Sequence, residues 1–131
     1  MVDTSDVINS ILYSVKKQLG IDPEYVHFDP DLIICINSVL MILAQVGIVK
    51  DGTKIEDEST TWENVLEDKT NLEGIKSYTY LKVKMLFDPP QNSSIQNAIN
   101  EQIREFEWRL YSFTDPIGTN KNMFDGTEES N

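Results

Sequence analysis

One stretch limits what this chain can fold into. Behind Asp29 and Pro30, the run from Leu32 to Val46 is apolar at 12 of 15 positions, interrupted only by Asn37, Ser38 and Gln45. Proline at the first helical position costs no hydrogen bond, and Asp29 before it is a suitable cap. The segment therefore reads as a helix that opens there and stops at Gly47. A helix that is apolar nearly all round lies in the middle of a bundle or turns its extra side to another subunit. With 15 residues, three of them polar, it falls short of the roughly 20 apolar residues that a bilayer requires. No membrane contact is expected.

Three more amphipathic segments surround it. Val7, Ile8, Ile11, Leu12, Val15 and Leu19 share one face of a predicted helix over residues 4–19. Lys16 and Lys17 fall in its last turn, and Gly20 is placed for a left-handed cap. Asp22 to Pro30 reads as a connector. Thr70-Asn71-Leu72-Glu73 has capping-box spacing and opens a predicted helix to about Phe87. Leu72, Ile75, Thr79, Val83 and Leu86 lie on one face, Tyr78, Leu81 and Met85 form a second stripe, and Pro89-Pro90 ends it. Ser93-Ser94-Ile95-Gln96 is a further box, ahead of Ile95, Ile99, Ile103, Phe106 and Leu110, with Glu105 and Arg109 paired one turn apart. The expected fold is all-α: a bundle of four main helices forming one domain over residues 1–112.

Asp51 to Glu73 differs in kind, with eight acidic residues against two lysines. Thr60-Thr61-Trp62-Glu63 is spaced to open one short helical turn around Trp62, Val65 and Leu66. Residues 52–59 suit a small hairpin or a plain loop equally. The segment is expected to project from the bundle, adding little to the core, with Trp62 at its base. Residues 113–131 hold two glycines, one proline and a net charge of −3, the composition of a flexible tail. Phe113, Ile117, Met123 and Phe124 are spaced along it like anchors for a partner. Trp62 and Trp108 join them as candidate partner-binding residues, because aromatic side chains are enriched at interfaces and Trp108 falls off the apolar stripe of its helix.

Charge and chemistry then exclude whole classes of function. There are 11 basic residues against 22 acidic ones, a net charge of −11, and only two arginines, Arg104 and Arg109. Tight nucleic-acid binding needs a cationic face that this chain lacks. Cys35 is the only cysteine, so neither an intramolecular disulfide nor a multi-thiolate metal site is possible. His27 is the only histidine and sits in the connector, with no base–nucleophile pattern around it. Pairing Cys35 with His27 as a nucleophile is disfavoured because the cysteine lies in an apolar run. No phosphate-binding loop, zinc-protease or EF-hand spacing occurs. Glu56-Asp57-Glu58 lacks the ligand spacing of a cation loop and reads as a solvated face. The acidic, polar start of the sequence is unlike a signal peptide. The expectation is a non-enzymatic assembly component with no cofactor and no metal.

The run DPDLIICINSVLMILAQVGI, the Trp62 segment, YTYLKVKMLFDPPQNSS and EQIREFEWRLY together resemble the head–tail connector, or adaptor, proteins of tailed phages. The likeness is to the small connectors of phages and prophages of low-GC Gram-positive bacteria, and it covers Asp29 to Tyr111. It implies a helical bundle, made in the bacterial cytoplasm, that assembles usually as twelve copies in a ring under the portal protein in the virion neck. Such a ring extends the DNA channel and offers a lower face to stopper or tail proteins. The family has no catalytic residues to carry over. Physics agrees with such a role: an acidic lumen repels phosphates, so DNA passes without specific binding. The all-round apolar helix and the second stripe on the Leu72–Phe87 helix would supply surface for neighbouring copies. Two other readings are weighed against it. One is a stopper or head-completion protein of the same neck, a class that tends towards β-rich folds. The other is a cytoplasmic helical regulatory domain such as a helix-turn-helix protein, against which the absence of a basic recognition helix speaks.

Overall fold

A computed structural model describes residues 4–114. Six helices are present among them: α1 (Thr4–Asn9), α2 (Ile11–Leu19), α3 (Asp29–Gln45), α4 (Trp62–Val65), α5 (Leu72–Phe87) and α6 (Ser93–Thr114), with a single 3-10 turn over Lys69–Asn71. Extended pairing among the described residues is confined to two isolated antiparallel bridges, Ser10 with Thr61 and Val49 with Leu66. The all-α bundle expected from the periodicity is the fold observed, with α2, α3, α5 and α6 as its main helices.

The central helix is α5, which packs against α2, α3 and α6. Its two apolar stripes explain why. Ile75, Thr79 and Val83 are buried on one, and on the other Tyr78 is buried while Leu81 and Met85 pack on the core. The second stripe, expected to serve neighbouring copies, is thus covered largely within the chain. Helix α3 buries Leu32, Ile36, Val39, Leu40 and Leu43, packs Ile33, Cys35 and Ala44 at the edge of the core, and leaves Ile34 and Met41 exposed.

The local sequence signals hold in kind and shift in detail. Gly20 and Gly47 adopt the left-handed conformation, φ 81° and 85°, that ends a helix cheaply only at glycine. The predicted 4–19 helix breaks at Ser10. That residue is extended, its Oγ accepts from Tyr13 N–H at 3.1 Å, and Ile11 N–H is drawn off to Thr60 C=O at 3.1 Å. Asp29 is not the cap of α3: Phe28 holds that position without a side-chain bond, and the carboxylate of Asp29 faces Lys16 instead. Thr61, rather than Thr60, caps α4. Thr70 does not cap α5 but bonds back to Asp68, whereas Asn92 caps α6 by accepting from the N–H groups of Ser94 and Ile95. At α4 and α6 a neighbouring polar side chain reaches the free N–H groups in place of the one the spacing suggested, whereas α3 and α5 start without a side-chain cap bond.

Lys16 has a larger role than the helix-dipole partner that the sequence suggests. It is 0% exposed, and its ammonium donates to the carbonyls of Pro23 at 2.9 Å and Tyr25 at 2.8 Å. Asp29 Oδ1 stands 2.8 Å away as an ion contact outside hydrogen-bond geometry, and that oxygen has no hydrogen-bond partner. One buried cation therefore ties α2, the connector and the start of α3 together.

The acidic segment does not project. Asn37 on α3 donates Nδ2–H to Ile55 C=O at 3.0 Å and accepts from Ile55 N–H at 2.7 Å, holding a buried Ile55 against the bundle. Trp62, at 2% exposure, donates Nε1–H to Ser14 Oγ at 3.0 Å, and Val65 and Leu66 are buried beside it. Residues 52–59 form turns and irregular loop rather than a hairpin. Backbone bonds from Lys50 N–H to Val65 C=O and from Glu67 N–H to Ile48 C=O close the base. The segment is a strap, because its apolar residues are worth more buried than its charges require.

Asn37→Ala is expected to cost about 1–3 kcal/mol in urea unfolding, since two strap backbone groups lose their partner. Replacing Glu56, Asp57 and Glu58 together by alanine should change stability by no more than about 0.5 kcal/mol, because these side chains are exposed. Lys16→Met should cost about 3–5 kcal/mol, since it strands Asp29 and two carbonyls in a closed site.

Candidate interaction surfaces

Three surfaces stand out when the exposed apolar side chains are traced to the elements that carry them. The first is the outer side of α3, where Asp31, Ile34, Ser38, Met41 and Gln45 are all exposed at spacings of three, four, three and four. Ile34 is 67% and Met41 56% exposed, with the small Ser38 between them. Asn37, one turn from each, holds the backbone of Ile55, and the exposed Glu56-Asp57-Glu58 triplet follows it directly in sequence. Ser59 donates its N–H (2.8 Å) and hydroxyl (2.6 Å) to Asp57 Oδ1, which holds that carboxyl below the usual carboxylate range. Thr70 does the same for Asp68.

The second surface is the outer face of α6. Ile103 and Leu110 are buried on its inner side and Ile99 and Phe106 partly so, which turns Trp108 outward at 64% exposure. Arg104 and Arg109 flank it, paired along the helix with Glu101 at 2.7 Å and Glu105 at 3.0 Å. Towards α5 the helix presents Glu107, which accepts from the Tyr78 hydroxyl at 2.9 Å and lies 3.8 Å from Lys82. Burial first, then the bond to Glu107 and its negative charge, push the Tyr78 hydroxyl well above the ordinary tyrosine range.

The third surface is an aromatic cluster at the end of the bundle where α3 begins and α5 ends. Phe28 meets Phe87 at 5.4 Å between ring centroids, His27 at 4.9 Å and Tyr25 at 5.9 Å. His27 is an exposed connector residue whose ring neighbours are Phe28 and Tyr25. Cys35 is partly buried on α3, and burial followed by the charge of Asp31 raises its thiol pKa. Among the described residues, no group of three or more histidine, cysteine, aspartate or glutamate side chains is placed to hold a metal ion. No helix among them is long and apolar enough to cross a membrane.

Of the residues singled out in the sequence, Trp108 is on the surface and Trp62 is in the core of the single chain. The backbone of α6 continues to Thr114, so Phe113 belongs to that helix, while Ile117, Met123 and Phe124 lie outside the described residues. Ile34 and Met41 were not singled out. Their seven-residue interval was visible but hidden within a run that was apolar almost everywhere.

The sequence profile of the phage connector proteins matches residues 11–116, from α2 through α6. The chain belongs to the phage connector protein family. Comparison with curated proteins and with solved structures returns no match. Membership makes this connector a structural protein of the phage head–tail junction, a class without enzymatic activity. Every surface described above lies within the matched span of the connector.

Tyr78→Phe should lower the connector's stability by about 1–2 kcal/mol near neutral pH. Because the native state raises the Tyr78 pKa above its ordinary value of 10.0, this contribution is complete below about pH 10 and is lost as the pH rises through the native value. Unfolding titrations of wild type and Tyr78→Phe should therefore converge in alkaline solution.

Proposed function

We propose that this connector assembles as a ring, twelve copies in number, beneath the portal protein in the phage neck. There it lengthens the DNA channel and presents its lower face to stopper or tail proteins. The observation that carries this reading is that a member of the connector family leaves large apolar side chains bare on several helices, among them Ile34 and Met41 on α3 and Trp108 on α6. Exposed apolar surface of this kind, bordered by charge, is what a protein partner covers. The net charge of −11 suits a channel component, because DNA sliding past an acidic wall releases no counterions and is not held. Residues 113–131, with Phe113, Ile117, Met123 and Phe124, supply anchors towards the portal or a neighbouring copy. A bacterial host of the low-GC Gram-positive group, in whose cytoplasm the chain is made, follows from the same resemblance.

Light scattering on the purified protein should find it mainly monomeric or heterogeneous, and imaging of intact necks should find it as a ring. A neck without this chain rejects the proposal. Deleting residues 113–131 should leave the helical circular-dichroism spectrum in place while abolishing attachment to the head. Infectious particles built with the truncated chain would remove the anchoring role.

A further inference from the structure

We infer that copies of the connector join through two different faces, the outer stripe of α3 on one copy and the Trp108 face of α6 on the next; this rests on the ring reading above. The two faces match in shape. On α3, Ile34 and Met41 stand seven residues apart with the much smaller Ser38 between them. On α6, the exposed residues Ala98, Glu101, Glu105 and Trp108 repeat at three, four and three, so both helices present the spacing that lets side chains of one fill the gaps of the other. Trp108 is the one large side chain in that set, and the short side chain of Ser38 marks the position we assign opposite it.

The charges match as well. The acidic triplet Glu56, Asp57 and Glu58 follows Ile55, whose backbone Asn37 clamps one turn from Ile34 and Met41. The α6 face carries the only two arginines of a chain with net charge −11. They lie on either side of Trp108, so in either sense of helix crossing one guanidinium meets the acidic triplet. Their intrahelical glutamates leave the face near neutral, so an acidic copy meets no net repulsion there. Tryptophan and arginine are also the residue types that dominate binding energy at interfaces.

A single chain cannot satisfy both faces itself. Ile42, Gln45 and Val46 on the other flank of α3 line a cleft with Glu107 and Leu110 of α6, whereas Asn37 and the acidic loop occupy the opposite flank. The contact therefore runs from copy to copy. Joining unlike faces is a head-to-tail arrangement, which closes as a ring when the rotation permits.

The test uses particles carrying the full chain as C35S/M41C/W108C, oxidised and run without reductant. Unlike faces in contact should give a ladder of linked copies extending beyond the dimer, while C35S/M41C and C35S/W108C alone stay monomeric. A ladder absent or ending at the dimer overturns the inference. Should the cysteine chain fail to enter particles, charge reversal decides. R104E/R109E and E56K/D57K/E58K are each expected to lower particle yield about tenfold or more, and their combination to restore it. No loss, or no rescue, overturns the assignment. Necks that contain a ring of this chain joined elsewhere overturn only the choice of faces, whereas necks lacking the chain overturn the ring.

Discussion

The organisation of this protein follows from the need to cover α5. That helix carries apolar side chains over two faces, and burying both requires neighbours on three sides, which α2, α3 and α6 provide. Once they are in place, α3 has one face inside and one outside, although its composition is nearly uniform. The same demand fixes α6, whose inner residues Ile103 and Leu110 close the core and whose opposite side then carries Trp108 into solvent. Both outward surfaces are by-products of how α5 is buried.

Polar contacts set the register of this arrangement rather than its driving force. Lys16 is the most committed of them: a primary ammonium out of water, with two backbone carbonyls and a carboxylate around it. Such a site contributes modestly when complete and costs heavily when broken, which suits a device that specifies one path for the connector between α2 and α3. The Asn37–Ile55 pair and the Trp62–Ser14 bond do the same for the strap, fixing an acidic segment against the bundle while its carboxylates stay in water. The strap thus keeps its carboxylates at the surface without giving up core beneath it.

These features suit a structural part of a phage head–tail junction. A protein that works by assembly needs a rigid fold with apolar surface left over, and it needs that surface divided so that copies join in one sense. In the ring proposed above, α3 and α6 would meet both requirements, with the α2–α3 aromatic cluster at the bundle end as a further apolar surface. An acidic exterior keeps the unassembled chains apart in solution and offers nothing to hold DNA.

Much of the fold was legible in the sequence because helix positions depend on local causes. The 3.6-residue period, glycines that tolerate positive φ, and prolines that end helices all act within a few residues, and they placed α3, α5 and α6 nearly to the residue. The family resemblance was carried by the same stretches. The caps were less legible, since Ser10, Asn92 and Lys16 found partners that a spacing rule does not see. Trp62 and Trp108 show the limit clearly: two tryptophans in polar surroundings, equal as interface candidates, of which one lies under a strap and the other in solvent. By itself the sequence determined an acidic, helical chain with more apolar surface than one bundle needs. Only the tertiary structure decided which apolar residues remain outside, because burial depends on which faces α5 and the strap occupy in space, and contacts between residues far apart in the chain leave no local pattern.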